Sequence, residues 1–230
     1  MGDTRVHSAP GDAIASRDPQ VLVSRYRGFT RINHWITAAC MIVLLLSGFA
    51  FFHPSLYGLT TLFGGGQTAR WLHPIIGVLL AVSFFGLFVQ MWRLNLPVRE
   101  DVEWSRRIGD VLQGHEGKLP ELGKYNAGQK LVFWGMTGLI LILLVSGVMI
   151  WEQYFPDLVP VPARRIALVV HAAAAVGAIL IFVLHVYAAI WTRGTLRAMT
   201  RGTVTGGWAY RHHRKWLREL AARQGTVRED

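Results

Sequence analysis

Two histidines, His171 and His185, are the only strongly polar side chains in the uncharged stretch from Ile166 to Trp191. On a helix, residues at this separation lie within about 40° of one face and about 21 Å apart along the axis. One imidazole in an apolar helix is most simply a core side chain that is hydrogen-bonded to a neighbouring helix. Two on one face, near opposite surfaces of a bilayer, are costly and usually mark a functional path. Neutral imidazole is also a common ligand of haem iron, so the spacing predicts one helix shared by two haems stacked across a membrane.

A helix of this stretch would be about 39 Å long, which is enough to cross a hydrocarbon core of about 30 Å. The apolar content of 52% would also suit a soluble domain, but the apolar residues are gathered into long uncharged runs. The predicted helices cover about residues 32–52, 71–92, 131–151 and 166–191. This pattern predicts an all-α membrane protein with a four-transmembrane-helix bundle.

Lys and Arg are distributed unevenly among the connections between these helices. The segment before the first helix has five, the second connection seven and the segment after the fourth helix nine, whereas the first and third connections together have three. By the positive-inside rule, both termini and the middle connection are cytoplasmic. The formal net charge of +10 is therefore interpreted as contact with a membrane surface and not with nucleic acid.

This topology assigns four histidines to two depths. His73 and His171 lie near the outer surface, and His34 and His185 lie near the cytoplasmic surface. The sequence therefore predicts two haem sites, each with a pair of axial histidines. His53, at the outer end of the first helix, competes with His73, but a proline follows it and an interfacial role is favoured.

A single cysteine, Cys40, lies inside the first apolar run. One thiol excludes an internal disulfide, a cysteine-ligated iron–sulfur cluster and a CxxCH haem attachment site within this chain. Any haem is therefore predicted to be held without covalent bonds.

An internal repeat relates the two halves of the chain. The segment HWITAACMIVLLLSGFAFF, from His34, aligns without gaps with FWGMTGLILILLVSGVMIW, from Phe133. Each half has a Ser-Gly pair followed 25 or 26 residues later by a histidine: Ser47-Gly48 with His73, and Ser146-Gly147 with His171. The halves are predicted to be repeated helical hairpins related by a pseudo-two-fold axis along the membrane normal, with chance similarity between apolar helices as the alternative. Under the repeat, the two outer histidines occupy equivalent positions, whereas the two inner ones do not.

The polar segment at the N-terminal end is predicted to be disordered, and the one at the C-terminal end is predicted to contain a helix. Residues 1–24 are predicted to be a disordered tail, and residues 25–195 form the predicted transmembrane domain. Residues 196–230 form a basic cytoplasmic tail, in which residues 207–223 mix Trp, Tyr and Leu with basic residues. This mixture predicts an amphipathic helix on the anionic inner surface, with a solvated partner-binding helix as the alternative. The remaining histidines lie in polar segments and are predicted to be solvated: His7, His115, His212 and His213.

Several motifs together resemble one known family, the cytochrome b (gamma) subunits of membrane-bound respiratory formate dehydrogenases. They include RINHW, LLLSGFAFF, RWLHP, GKYNAGQK, LLVSGVMIW, LHVYAAIW and WAYRHHRKWLRE, and the match covers about residues 25–220. Histidine-containing four-helix bundles are shared with hydrogenase and thiosulfate reductase cytochromes. GKYNAGQK, at residues 123–130, is the motif that points to formate dehydrogenase.

In that family, two b-type haems are each held by two histidines. The resemblance implies that His73 and His171 are the iron ligands of the outer haem. It implies the same role for His34 and His185 at the inner haem. An iron–sulfur beta subunit would deliver electrons at the outer haem, and a catalytic alpha subunit containing molybdenum or tungsten would oxidise formate, so this chain would carry no residue of the formate-oxidising site. The implied location is the bacterial inner membrane, and a higher oligomer of the complex is compatible with the family.

The resemblance further implies that a quinone, menaquinone or ubiquinone, is reduced on the cytoplasmic side beside the inner haem. The implied site consists of Asn126, Gly128, Gln129 and His185. Their chemistry suits a quinone, because side-chain amides and an unshielded backbone N–H can donate to a carbonyl oxygen. Without the resemblance, the Asn-Ala-Gly segment is more simply the opening turn of the third helix.

Three functions are compatible with the sequence. The first is the electron-transfer subunit of a respiratory formate dehydrogenase, which reduces quinone. The second is the cytochrome b anchor of another quinone-linked oxidoreductase, such as a nickel–iron hydrogenase or a thiosulfate reductase. The third is a haem-free transporter whose intramembrane histidines relay protons. A haem spectrum separates the third function from the others, and co-purifying subunits separate the first from the second.

Overall fold

The structure is a computed structural model that describes residues 13–14, 21–157 and 159–226. In chain order, the helices of these residues are α1 (Gly28–Phe52), α2 (Gly66–Met91), α3 (Arg99–Arg106), α4 (Ile108–Leu112), α5 (Ala127–Ile150), α6 (Val161–Trp191), α7 (Thr195–Arg201), α8 (Gly206–His212) and α9 (Arg214–Thr226). Short 3-10 segments lie in the connections at Pro54–Phe63, Trp92–Asn95 and Glu116–Lys118. The described strands β1 (Ala13–Ile14), β2 (Leu22–Ser24) and β3 (Thr203–Thr205) form an antiparallel sheet in the order β1-β2-β3.

Four of the described helices, α1, α2, α5 and α6, are long and apolar enough to span a membrane. Each predicted helix ends within one residue of the observed end, and each observed helix begins four or five residues before its predicted start. The starts differ because a polar first turn continues the helix beyond the apolar run that marks the membrane core. For example, α6 accommodates Pro162 in its first turn, where a missing N–H loses no helical hydrogen bond. The predicted all-α membrane fold with four spanning helices is confirmed.

The long helices keep large apolar side chains on their outer faces. Phe85 in α2, Leu131 in α5 and Val169 in α6 are 65%, 72% and 70% exposed. Contiguous apolar surface of this kind is unusual in a water-soluble monomer, whereas a hydrocarbon core solvates it. The exposed faces therefore fit a multi-pass membrane protein.

The chain divides into two compact units, each assembled from separate parts of the sequence. The first unit consists of the residues up to Arg31, Gln90–Trp134 and the residues from His185 onward. The second unit consists of Ile32–Val89 and Gly135–Leu184. The predicted boundaries at residues 24 and 195 do not follow this division, because ends of the long helices belong to the first unit.

The second unit has a core to which all four long helices contribute. Cys40 and Met41 of α1, Leu80 of α2 and Ile140 of α5 are buried together, and Phe182 of α6 packs against them. In a bilayer, close packing of side chains holds helices together, because lipid tails are as apolar as the helix surfaces. This core positions the helix segments that carry His73 and His171.

The first unit has a separate core between the sheet and the C-terminal helices. Its buried residues are Val23, Ala198, Val204, Trp208, Ala209, Trp216 and Leu220. Val23 of β2 is paired with Val204 of β3, and both are almost completely buried. The predicted disordered tail over residues 1–24 is therefore wrong for Ala13–Ile14 and Leu22–Ser24, because strand pairing orders these residues. Residues 1–12 and 15–20 lie outside the described residues.

The predicted amphipathic helix over residues 207–223 is formed by α8 and α9. Trp216 and Leu220 of α9 are 0% and 2% exposed within the core of the first unit. This apolar side packs inside the protein and is not available to insert into a membrane surface; the position of the helix at the inner surface stays a prediction. Part of the basic side is also paired: Lys215 Nζ lies 2.6 Å from Glu100 Oε1, and Arg218 contacts Glu121.

His213 is buried, at 1% exposure, so its predicted solvation is wrong. Its Nδ1 donates to the Gly123 carbonyl oxygen at 2.6 Å, and its Nε2 lies 3.3 Å from Arg25 Nη2. Burial, reinforced by the charge of Arg25, holds the pKa of His213 well below its ordinary value of 6.5. Arg25 is itself buried, and its guanidinium lies 5.0 Å from the ring centroids of Trp208 and Trp216. A neutral His213 thus bridges the middle connection and a buried arginine.

The other histidines of the polar segments differ in exposure. His115 is exposed, as predicted, and its Nδ1 lies 3.5 Å from Asp110 Oδ1. His212 is half-buried, with its ring 5.0 Å from that of Trp208, so the prediction of a solvated side chain is only partly met. His7 lies outside the described residues.

Candidate functional site

His73 on α2 is held by a serine of α1. The distance from His73 Nδ1 to Ser47 Oγ is 2.7 Å. Ser47 is fully buried, and its hydroxyl donates to the Val43 carbonyl oxygen, one turn back, at 2.8 Å. Because the hydroxyl proton is used in that bond, we assign His73 Nδ1–H as the donor to Ser47 Oγ. The unprotonated nitrogen of His73 is then Nε2, the atom that can bind a metal.

His171 on α6 has the same arrangement with a serine of α5. Its Nδ1 lies 2.9 Å from Ser146 Oγ, and the Ser146 hydroxyl donates to the Ile142 carbonyl oxygen at 2.6 Å. Ser146 is 3% exposed. The same reasoning assigns the proton of His171 to Nδ1 and leaves Nε2 as the ligand atom.

A glycine follows each serine and lies beside the imidazole. A Cβ at Gly48 would be 3.7 Å from His73 Cε1, and a Cβ at Gly147 would be 3.4 Å from His171 Cε1. A side chain larger than a methyl group would therefore displace the ring. We call each Ser-Gly pair a histidine seat: Ser47-Gly48 for His73, and Ser146-Gly147 for His171.

The rings of His73 and His171 lie close together, with centroids 6.4 Å apart. A metal–imidazole bond is about 2.0–2.1 Å long, and each ring nitrogen lies roughly 1.1 Å from the centroid of its ring. Two imidazoles on opposite sides of one metal would therefore have centroids about 6.3 Å apart. The observed distance therefore fits one iron between the two rings. A porphyrin supplies the other iron ligands, so two imidazoles suffice. Among the described residues, no group of three or more His, Cys, Asp and Glu side chains could hold a different metal ion.

The predicted inner pair is divided between the two compact units. His34 lies on α1 in the second unit and is half-buried, and His185 lies on α6 in the first unit and is exposed. His185 shares α6 with His171, so one helix carries a histidine of each predicted pair. The pairing of His34 with His185 stays a prediction.

Asn126 and Gln129 form a capping box at the start of α5. The Gln129 N–H donates to Asn126 Oδ1 at 2.9 Å, and the Asn126 N–H donates to Gln129 Oε1 at 3.1 Å. These reciprocal bonds satisfy two N–H groups that a helix N-terminus otherwise leaves without partners. The segment therefore forms the opening turn of a helix, the alternative that the sequence left open, and quinone binding at these residues stays a prediction.

Helix α3 packs against this opening turn. A Cβ at Gly128 would be 3.2 Å from Trp104 Cη2, so the glycine leaves room for the indole ring. One turn earlier, Asp101 Oδ2 accepts from Lys130 Nζ and from the Val98 N–H, both at 2.7 Å. Any molecule bound at Gly128 would therefore share this surface with Trp104, a residue that the sequence did not single out.

His53 has a local structural role. It is the N-cap of the 3-10 helix Pro54–Phe63, and its Nδ1 accepts from the Ser55 N–H at 3.2 Å. Its side chain is exposed. The ring that lies beside His171 is that of His73, and the choice of His73 over His53 as a haem ligand stays a prediction.

The sequence interpretation gave Ser47 and Ser146 no role at the site. The signal was present in the repeat, because each Ser-Gly pair precedes its histidine by 25 or 26 residues. In two consecutive helices joined by a connection, such a separation can return the chain to the same depth on the second helix. A polar side chain at that depth in each preceding helix could have been interpreted as a partner of the histidine.

Residues 25–202 match the family of prokaryotic cytochromes b561. This match covers most of the chain and agrees with the four spanning helices. The chain belongs to the prokaryotic cytochrome b561 family. Membership in a cytochrome b family implies haem b, and the distance between the rings of His73 and His171 is compatible with one haem iron between them.

Three relatives are formate dehydrogenase subunits. The cytochrome b556(fdo) subunit from Escherichia coli strain K12 is 43% identical over 198 residues, which are 86% of this chain and 93% of the relative. The nitrate-inducible cytochrome b556(Fdn) subunit of the same strain is 39% identical over 199 residues, 86% of this chain and 92% of the relative. The cytochrome b556 subunit from Haemophilus influenzae is 37% identical over 204 residues, 89% of this chain and 85% of the relative. The resemblance predicted from the motifs is confirmed.

Proposed function

We propose that this chain is the membrane cytochrome b subunit of a formate dehydrogenase and transfers electrons from an iron–sulfur partner to a quinone. The observation that carries the proposal is the pair of outer histidines, whose rings lie 6.4 Å apart with each Nδ1 on a buried serine. The named subunits among the relatives support formate dehydrogenase over hydrogenase and thiosulfate reductase.

Two haems b are proposed, one near each side of the membrane. His73 and His171 hold the outer haem through Nε2, and His34 and His185 hold the inner haem. Bound haem supplies a one-electron carrier at each site. The helix α6 provides one ligand to each haem, and these two ligands lie about 21 Å apart along its axis.

A quinone is proposed to bind beside the inner haem, at Asn126, Gly128, Gln129 and His185. In the capping box, the side-chain oxygens of Asn126 and Gln129 accept backbone N–H groups. Their amide NH₂ groups carry the hydrogens that a quinone carbonyl would accept. The capping box also holds both amides in fixed orientations, which suits recognition of a small polar group.

The proposed orientation places both termini and the middle connection in the cytoplasm, with the chain in the bacterial inner membrane. It rests on the uneven distribution of Lys and Arg among the connections. The iron–sulfur beta subunit docks at the outer haem, and a molybdenum- or tungsten-containing alpha subunit oxidises formate. Quinone reduction on the cytoplasmic side takes up protons there while formate oxidation releases protons outside, so electron transfer charges the membrane.

The proposal is tested with the complex purified in detergent. Formate should reduce the haem absorbance bands, and a quinone analogue should slow their reoxidation. Hydrogen is the matched alternative electron donor and should leave the bands oxidised. Reduction by hydrogen and not by formate would point to a hydrogenase anchor, and a purified chain without a haem spectrum would point to the proton-relay transporter.

A further inference from the structure

The two histidine seats make the same contact at equivalent positions of the two halves. The Nδ1 of His73 lies 2.7 Å from Ser47 Oγ, and the Nδ1 of His171 lies 2.9 Å from Ser146 Oγ. We propose that Ser47 and Ser146 are positioning residues that orient the outer histidines and lower the reduction potential of the outer haem. This inference rests on the proposed function, because it requires a haem between the two rings.

Each serine makes a hydrogen bond to a histidine that helix packing alone does not require. A serine in an apolar helix commonly satisfies its hydroxyl by donating to the carbonyl four residues earlier. Ser47 and Ser146 both do so, at 2.8 Å and 2.6 Å. That bond is complete without a histidine and leaves lone pairs on the hydroxyl oxygen. In both halves these lone pairs are used by an imidazole, and the next residue is a glycine beside the same ring.

Each seat affects its imidazole in two ways. The bond at Nδ1 fixes which ring nitrogen carries the proton, so Nε2 is always the ligand atom. The glycine leaves room for the imidazole beside the helix, because a Cβ at that position would lie 3.7 Å from His73 Cε1 or 3.4 Å from His171 Cε1. A ligand held in this way has lost its rotational freedom before a haem binds, which strengthens binding.

The same bonds act on the electronic properties of the iron. A hydrogen bond from Nδ1–H to an oxygen makes the imidazole a more basic ligand at Nε2. A more basic axial ligand stabilises ferric iron over ferrous iron, because the ferric state carries more positive charge, and the reduction potential falls. Each serine would act through a histidine of the same haem, so the two effects would have the same sign. A lowered potential at the outer haem favours onward transfer of the electron to the inner haem.

The test compares Ser47→Ala, Ser146→Ala and the double variant with the wild-type complex. Redox titration followed by absorbance measures the potential of each haem, and EPR spectra of the oxidised protein report the ligand field at each iron. Each single variant should raise the potential of the outer haem, and the double variant should raise it further. The component assigned to the inner haem should not move. Affinity for the outer haem should fall by about 10–100-fold, the usual effect of removing such a partner.

Two sets of variants serve as controls. Ser47→Thr and Ser146→Thr keep a hydroxyl that can bond the preceding carbonyl, and they should retain the wild-type potential. Ser83→Ala removes another buried helical serine, which is 7% exposed and whose Oγ lies 2.6 Å from Asn33 Oδ1 and 2.8 Å from Thr37 Oγ1. It should leave the outer potential and EPR signal unchanged.

A double variant with full haem content and unchanged outer potential and EPR signal would overturn the inference and leave the proposed function intact. An equal shift in Ser83→Ala would also overturn it, because the effect would then be general to buried serines. If the alanine variants do not accumulate, Ser47→Cys and Ser146→Cys keep the volume but offer only a weak sulfur acceptor, and an unchanged potential there would have the same meaning. A wild-type protein without haem would instead contradict the proposed function.

Discussion

The contact made by Nδ1 distinguishes the histidines of this chain at the scale of single residues. In His73 and His171, Nδ1 is on a buried serine and Nε2 is left for a metal. In His53, Nδ1 accepts from the backbone of its own turn, and in the buried His213 it donates to the Gly123 carbonyl oxygen. Histidine therefore has three roles in this chain: His73 and His171 are candidate metal ligands, His53 caps a 3-10 helix, and His213 bridges two segments of the first unit.

Replacing one outer histidine should remove the outer haem and retain the inner one. His73→Ala and His171→Ala each leave a single imidazole, so the haem content should fall to about half. His34→Ala and His185→Ala should lose the inner haem instead. Redox titration of each purified variant identifies the missing component. His53→Ala is the matched control and should keep both haems; loss of the outer haem in this variant, with retention in His73→Ala, would contradict the assignment.

The sequence predicted that His73 and His171 lie close together, as their rings do, but it did not predict their surroundings. Hydropathy and the charges of the connections predicted the depth of each histidine, and the repeat predicted that the two positions are equivalent. The burial of His213 could not be predicted in this way. Most of its adjacent residues are basic, and two of the residues that contact it, Gly123 and Arg25, are brought there from distant parts of the sequence by the folding of the first unit.

At the scale of elements, the sequence predicts the long helices well and the short strands poorly. The four long helices extend over many apolar residues, so their pattern is unambiguous. Strands β2 and β3 have three residues each, and they are ordered by pairing with each other across most of the chain length. A pairing between residues so distant in sequence has no local signature, which is why Val23 was assigned to a disordered tail.

The opening turn of α5 offers a test that separates capping from quinone binding. Asn126→Ala removes both the cap and the amide, and should destabilise the helix by about 1 kcal/mol. Asn126→Ser keeps a capping oxygen but lacks the amide donors. Both variants should retain two haems and slow quinone-dependent reoxidation of the inner haem, measured by stopped-flow absorbance. Wild-type reoxidation in Asn126→Ser would limit Asn126 to its role as a cap.

At the scale of the whole molecule, the chain builds two different cores. The core of the second unit is apolar, and the same unit contains His73 and His171. The first unit combines an apolar cluster with buried polar residues and ion pairs, such as Lys130 with Asp101 and Lys215 with Glu100. Hydropathy could predict the apolar core of the second unit. It could not predict the core of the first unit, because the charged residues of that unit lie in short connections whose composition resembles that of solvated loops.

The buried His213 should make the stability of the first unit depend on pH. Because its pKa is lowered in the folded protein, mainly by burial and further by Arg25, the unfolded chain binds a proton more readily. Stability should therefore be complete above the ordinary value of 6.5 and decrease as the pH falls below it. The slope should approach about 1.4 kcal/mol per pH unit.

The control for this effect is His213→Gln, which keeps a donor for the Gly123 carbonyl and an acceptor for Arg25 but does not titrate. Thermal unfolding in detergent, at about pH 5.5 and about pH 7.5, brackets the ordinary pKa of histidine. The wild type should lose more stability than the variant at the lower pH. Equal losses in the two proteins would show that other groups cause the pH dependence.

The number of haems b per chain tests the paired-histidine arrangement most directly. Pyridine haemochrome analysis measures haem b released from the purified protein, and amino-acid analysis measures the chain. Two haems per chain are expected, held without covalent bonds, because four histidines are assigned as two axial pairs. A ratio of one in the intact protein would contradict the second pair, and a chain without haem would contradict both.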